Sequence, residues 1–302
     1  MPNPFTLDPV IGYAVPFFLF FMGLEMVILY LEGREGYHRQ DAPASIAMGL
    51  GSVVINLVMK TGAYLAFSWL YTFRLFELGY TWWSWVLLFF ADDFTFYWHH
   101  RSCHEIRLFW AGHVNHHSSQ HYNLAVALRQ SWGELLHKYL WWLWLPLVGF
   151  LPLMILTVMS ISLIYQFFLH TEVVRRLGPL EWFFNTPSHH RAHHASNLRY
   201  LDRNHGGMLI IWDRLFGTFE PEDPRELPVY GLTTNIHTYH PLHIATHAYR
   251  ELWHDLKRSR GWRDRIRYAL MPPGWSPDRS TLTARQMRQQ ANPSPPKPVS
   301  SR

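Results

Sequence analysis

The chain has 302 residues, of which 48% are hydrophobic and only 16% charged, with a formal net charge of +5; an ordinary soluble surface carries more charge than this. An aromatic content of 17% together with long apolar tracts excludes a disordered chain and points to an integral membrane protein. The single cysteine, Cys103, allows no disulfide framework and excludes zinc ribbons and cysteine-ligated iron–sulfur clusters, so any metal must be held by nitrogen and oxygen.

Residues 11–31 form the first expected element. As a helix these 21 residues span roughly 30 Å, about the hydrocarbon thickness of a bilayer, and Glu25 is their only charged side chain. No Lys or Arg precedes them and no small-residue cleavage site follows, which predicts a retained anchor in place of a cleaved signal peptide. Residues 46–70, containing Lys60, and 80–98, containing Asp92 and Asp93, are the second and third expected spans. Glu25, Lys60 and Asp92 form no cluster, so pairing or snorkelling is expected of them before a transport path. Residues 139–169 are 31 residues without a charge, too long for one untilted crossing and short for two. Pro146 and Pro152 are natural break points there, predicting a hairpin of two short or partly re-entrant helices. Of the 27 Lys and Arg, 19 lie after residue 169, which predicts a cytoplasmic C-terminal half. Residues 249–268 mix basic and apolar side chains as an interfacial helix does, and 271–302 read as a flexible tail.

The histidines carry the chemistry. Seven of the 20 fall between His99 and His121, and five between His189 and His205. His100 and His104 are four apart, and His113, His116 and His117 are spaced i, i+3, i+4, so each set shares one helix face. His190, His193 and His194 repeat the pattern, and His170 follows the apolar hairpin with Gln166 one turn earlier. A lone histidine is usually a satisfied structural residue, which is the reading for His38, His137, His237, His240, His243, His247 and His254. Three repeated sets are different, because facing neutral imidazoles leave lone pairs unsatisfied unless a cation lies between them. Eight or nine nitrogen ligands exceed what one zinc uses, so two metals are expected, and imidazole alone does not choose among Zn, Cu, Fe and Ni. His99 and His189 lie about 100° around the helix from their neighbours and are expected either to support the ligand rings from behind or to face away; His121 is a minor candidate. The ligand sets flank the apolar hairpin, which must return to one side for them to meet. That places the metals just outside the membrane and predicts a lipid substrate.

Asp93, Tyr97, His100, Arg101 and His104, followed by WAGHVNHH and NTPSHHRAHH, resemble the fatty acid hydroxylase and sterol desaturase superfamily of membrane di-iron oxygenases. HHSSQHYNLAVALRQS, FLHTEVVRRLGPLEWFFNTPSHH and GGMLIIWDRLFGTFEPE are similar to its alkylglycerol monooxygenase-like members, the resemblance running from about residue 92 to 221. It implies an all-α fold, a multi-pass membrane helical bundle with a cytoplasmic histidine-rich cap. Residues 1–98 would form the membrane region, 99–235 the di-iron catalytic domain with its hairpin, 236–270 a basic interfacial region and 271–302 the tail. The implied iron ligands are His100, His104, His113, His116, His117, His170, His190, His193 and His194. Glu105, Asp93 and Asn123 are the expected catalytic supports, with Asn185, Asp202 and Asn204 as further partners that would orient the ligand rings.

The resemblance implies O2-dependent hydroxylation of a lipid C–H bond, in an ether lipid, a sterol or a fatty acyl chain, by two Fe ions. No GxGxxG fingerprint is present, so the two electrons come from outside. The implied donor is tetrahydrobiopterin, or a cytochrome b5 or ferredoxin system acting as an electron-transfer partner. A membrane location is expected, in the bacterial inner membrane or endoplasmic reticulum with the catalytic face cytoplasmic, and no nucleic-acid partner. Two other readings remain: a dizinc lipid hydrolase, which would need neither oxygen nor reductant, and a metal-binding membrane transporter or scaffold.

Overall fold

The computed structural model describes residues 9–291. It is helical throughout this range, with three isolated β-bridges and no strand among the described residues. The long helices come first: α1 (Pro9–Leu31), α2 (Asp41–Tyr71) and α3 (Trp82–Glu105). Two of them, α1 and α2, are long and apolar enough to cross a membrane, and only 22% and 28% of their most apolar windows are buried. Helices this apolar and this exposed are not core helices of a soluble protein. Phe17, Leu19, Phe20, Val54, Val58, Trp69, Trp82 and Leu87 all face outward as an apolar belt of the kind that lipid covers.

The third expected span is one continuous helix that runs past its predicted end at residue 98 to Glu105, because the apolar half and the first histidine pair share a helix without a breaker. Its start is fixed by a reciprocal cap between Thr81 and Ser84. The expected hairpin divides unequally, into α5 (Trp144–Val148) and α6 (Pro152–Phe167). Pro146 sits in the first turn of α5, where a missing N–H is tolerated; the break comes at 149–151, ahead of Pro152. Gly149 there has φ 125°, and a Cβ on it would sit 2.1 Å from the carbonyl oxygen of Phe76. Gly149→Ala is therefore expected to cost about 2 kcal/mol or more, read as a lowered thermal midpoint in detergent.

The helix α6 is the packing centre, touching α1, α2 and α3, and Phe67, Leu88, Trp142, Leu145, Met154 and Ile155 form the core between them. The charged residues in this region are all paired. Glu25 accepts from Tyr37, the Leu124 amide and Thr171; Lys60 donates to Ser160 at 3.0 Å; Asp92 accepts from the Trp142 indole at 2.7 Å.

Above the bundle, α4 (Arg107–His117) packs on α3, and α7 (Pro187–His193) and α8 (Ile211–Phe216) follow α6. The expected basic helix is two: α9 (Pro241–Arg258), which lays Ile244, Ala245 and Leu252 against the molecule and packs on α4, and α10 (Trp262–Leu270), separated at Gly261. Part of the expected tail is ordered as α11 (Ala284–Ala291), because Thr283 and Gln286 cap it reciprocally and Arg288 donates to the Leu201 carbonyl. The rest, from 292, lies outside the described residues.

Candidate metal centre

The eight histidines singled out by spacing, together with His170, form two clusters. His100, His104, His113, His117 and His193 make the first; His116, His170, His190 and His194 make the second; within each, one ring nitrogen per residue lies within 4.8 Å of the others. Helix geometry explains the partition. Neighbours in sequence point about 100° apart, so His116 and His117 on α4, and His193 and His194 at the end of α7, divide between the two clusters. The clusters adjoin: His117 stacks on His194 with ring centroids 4.3 Å apart, and His190 on His193 at 5.2 Å.

The ring nitrogens that converge are Nε2. In the first cluster His100 and His117 each bring Nε2 to 3.1 Å from that of His113. In the second, His170 lies 3.1 Å from both His116 and His190, and His194 lies 3.2 Å from His190. The opposite nitrogens fix the tautomer, because they donate to acceptors. His100 Nδ1 donates to the His205 carbonyl at 2.9 Å, His170 to that of Gln166 at 2.8 Å, His193 to that of Arg203 at 2.8 Å, and His113 to the Glu134 carboxylate at 2.7 Å. With Nδ1 holding the proton, each Nε2 presents a lone pair to another lone pair. Two nitrogens bound to one ion at about 2.0–2.1 Å stand about 3.0–3.4 Å apart, which is the observed spacing. The Nε2 atoms of His104 and His193 are buried without a protein partner. Burial pushes the His193 pKa down to about 3 and that of His170 to about 4; His104 is lowered too, first by burial and then by the neighbouring His193. The rings are thus neutral donors, and the donor set fits two metal ions, with iron among those it accommodates.

The expected supporting residues sit around this centre in other ways. Asp93 holds the 205–212 segment, accepting from the Met208 amide at 2.6 Å, the Leu209 amide at 3.1 Å and the Trp212 indole at 2.9 Å. Glu105 pairs with Arg101 at the surface, and Asn123 accepts from the Ala125 amide in the turn beside α4. Asp202 comes within 3.6 Å of His104 Nδ1. Asn185 and Asn204 bridge backbone carbonyls of 206–207 and of His189 and Glu220.

Two residues of the centre escaped the spacing argument. Glu134 reaches His113, 21 positions before it in the chain, and lies 3.8 Å from His99, with no motif to mark it. Burial opposes its charge, but His113 and His99 more than offset this and hold its carboxyl well below the ordinary range. His205 packs 5.0 Å from His104 with both ring nitrogens unpartnered among the described residues. It has no histidine three or four positions away, so periodicity was silent. His99 turns from the clusters toward Cys103 and the Trp141 and Trp142 rings, and His121 stacks on His38.

Residues 85–218, the stretch that carries both clusters, match the fatty acid hydroxylase family. That match covers 134 of the chain's 302 residues. It is 40% identical over 285 residues to the alkylglycerol monooxygenase of Homo sapiens, covering 92% of this chain and 63% of the relative. To the alkylglycerol monooxygenase of Xenopus tropicalis it is 37% identical over 273 residues, covering 89% and 60%. To the ornithine lipid hydroxylase OlsE of Rhizobium tropici it is 32% identical over 146 residues, covering 48% and 44%. The chain thus spans about three fifths of the length of the monooxygenases it matches. No solved structure matches it.

Proposed function

We propose that this chain is a member of the fatty acid hydroxylase family and a membrane lipid monooxygenase, and that an alkyl ether of glycerol is the substrate to test first. The observation that carries the reading is the pair of adjoining all-imidazole clusters at the end of an apolar helical bundle. The similarity to alkylglycerol monooxygenases over most of the chain supports the choice of ether lipid. Two ferrous ions held there would supply the activation of dioxygen that hydroxylating an unactivated C–H bond requires. The overall reaction consumes O2, two electrons and two protons, and releases water with the alcohol. On a carbon bearing an ether oxygen the alcohol is a hemiacetal, which collapses to an aldehyde and a second alcohol.

The chain's own residues do the positioning. Nδ1–H donation from His100, His170 and His193 to carbonyls and from His113 to Glu134 keeps their Nε2 atoms free to ligate, and the stacked rings join the two clusters. The belt on α1, α2 and α3 keeps the centre at a bilayer surface, where a lipid chain has access. The excess of basic residues after residue 169 supports a cytoplasmic orientation. An external donor, a reduced pterin or a small electron-transfer protein, would supply the electrons.

Purified protein given a 1-O-alkylglycerol, O2 and reduced pterin is expected to consume one O2 per fatty aldehyde formed, with reduced ferredoxin as the alternative donor. Turnover without oxygen or reductant would overturn the reading in favour of a hydrolase.

A further inference from the structure

A cleft of about 260 Å3 opens between the segment that follows α6 and the short helix α8, outside the histidine clusters. Arg176, Arg214, Trp182, His189 and Phe219 line it, with Glu181 and Glu222. It is smaller than the pockets of about 300–1,000 Å3 that enclose whole drug-sized ligands, so it suits a headgroup rather than a complete lipid.

Its two guanidiniums form no salt bridge among the described residues, although the Glu181 carboxylate acts on Arg214 through its charge. Arg176 donates to the Glu222 carbonyl. Arg214 donates to the Glu181 carbonyl at 3.1 Å and stacks 3.8 Å from the Phe219 ring and 5.0 Å from that of Trp182. The two carboxylates already have donors: Glu222 is clasped by Arg191, and Glu181 accepts from the Leu177 amide, Thr186 and Ser188. Most of the five N–H donors on each of Arg176 and Arg214 are left for a ligand, and that fork matches phosphate oxygens.

The rim lies near the end of the apolar helix α6. Tyr165, in the last turns of α6, donates to the Asn185 carbonyl at 2.6 Å, so the chain returns beside that helix after leaving it. The Ile210 amide donates to the Phe183 carbonyl at 2.9 Å, pinning this loop beside the segment held by Asp93 on α3. Trp182, Phe183 and Leu215, which this arrangement brings together beside Arg214, are 66%, 64% and 69% exposed. Aromatic side chains with arginine at the end of a membrane bundle are the composition of a headgroup boundary.

We propose that this cleft seats the phosphate of a membrane phospholipid, with Arg176 and Arg214 donating to its oxygens and Trp182, Phe183 and Leu215 in the acyl boundary. This is a binding site for a bilayer phospholipid, distinct from the phosphate-free alkylglycerol proposed above as substrate; the test reads binding alone, so it stands or falls without turnover.

The full chain in neutral maltoside detergent is titrated with phosphatidylglycerol, with phosphate-free diacylglycerol and with inorganic phosphate, and bound lipid is counted by native mass spectrometry. Phosphatidylglycerol is expected to be retained and diacylglycerol not, and Arg176→Gln and Arg214→Gln should each weaken retention about tenfold. Arg258→Gln, an exposed change on α9, should leave it unchanged. Should Arg214→Gln fail to fold, Arg176→Gln, whose side chain lies at the surface, carries the test. Parent-like retention in a folded Arg176→Gln variant, or an equal loss in Arg258→Gln, would overturn the site. Displacement of the lipid by inorganic phosphate at equal concentration would overturn a lipid source in favour of a free anion.

Discussion

His193→Ala and His116→Ala are each expected to reduce lipid turnover more than about a hundredfold, whereas His254→Ala leaves it unchanged. The two variants strike different clusters. His193 is the first cluster's histidine from α7, drawing that helix onto α3 and α4, while His194 beside it belongs to the second. His116 ties α4 to His170 at the end of α6, so its loss removes a link between two elements as well as a donor. Alanine at either position leaves neighbouring lone pairs facing a void, a greater cost than a change in the surrounding support, which is usually about 10–100-fold. His254 lies exposed on α9 and outside both clusters. Initial rates of aldehyde formation under saturating reductant decide the matter; full activity in both cluster variants would contradict the ligand roles proposed for them.

Glu134→Gln is the second large effect, expected at about 10–100-fold in metal affinity and activity together. The carboxylate is the one charged acceptor of an Nδ1 proton in the first cluster at hydrogen-bonding distance among the described residues; the other such partners are carbonyls. Its charge makes the opposite nitrogen of His113 a better donor, and its position holds the ring in register with His100 and His117. Glutamine keeps the shape and an acceptor but not the charge, so the variant should fold with a parental melting profile while binding iron more weakly. A merely structural role would shift the melting profile and leave the affinity of the folded protein alone, and that pattern would contradict a positioning role.

Much of this centre was legible because ligand sets on helices are local. Spacings of three and four residues put rings on one face whatever the rest of the chain does, and the eight histidines so found converge, joined by His170, which the resemblance supplied. The partition into two clusters was not legible, since it depends on how α4, α6 and α7 meet in space. Glu134 and His205 were hidden for the same reason: each reaches the centre through tertiary packing, from segments with no period to mark them. Asp93 illustrates the converse. Its place in a recognisable motif pointed to the metal, yet its carboxylate secures the backbone of Met208 and Leu209, and the carbonyl of His205 in that same segment accepts from His100. Among the spans, apolar length sufficed for α1 and α2, but α3 shares one helix between lipid and ligand chemistry, its apolar half running without a break into Asp92, Asp93 and the histidines.

The most direct test of the two-ion centre is metal content per chain, measured by elemental analysis after anaerobic loading with ferrous iron, for the parent, His193→Ala, His116→Ala and the double variant. The account predicts about two irons in the parent, about one in each single variant and close to none in the double. Zinc retained at about two per chain that iron does not replace, or single variants that load like the parent, would contradict it.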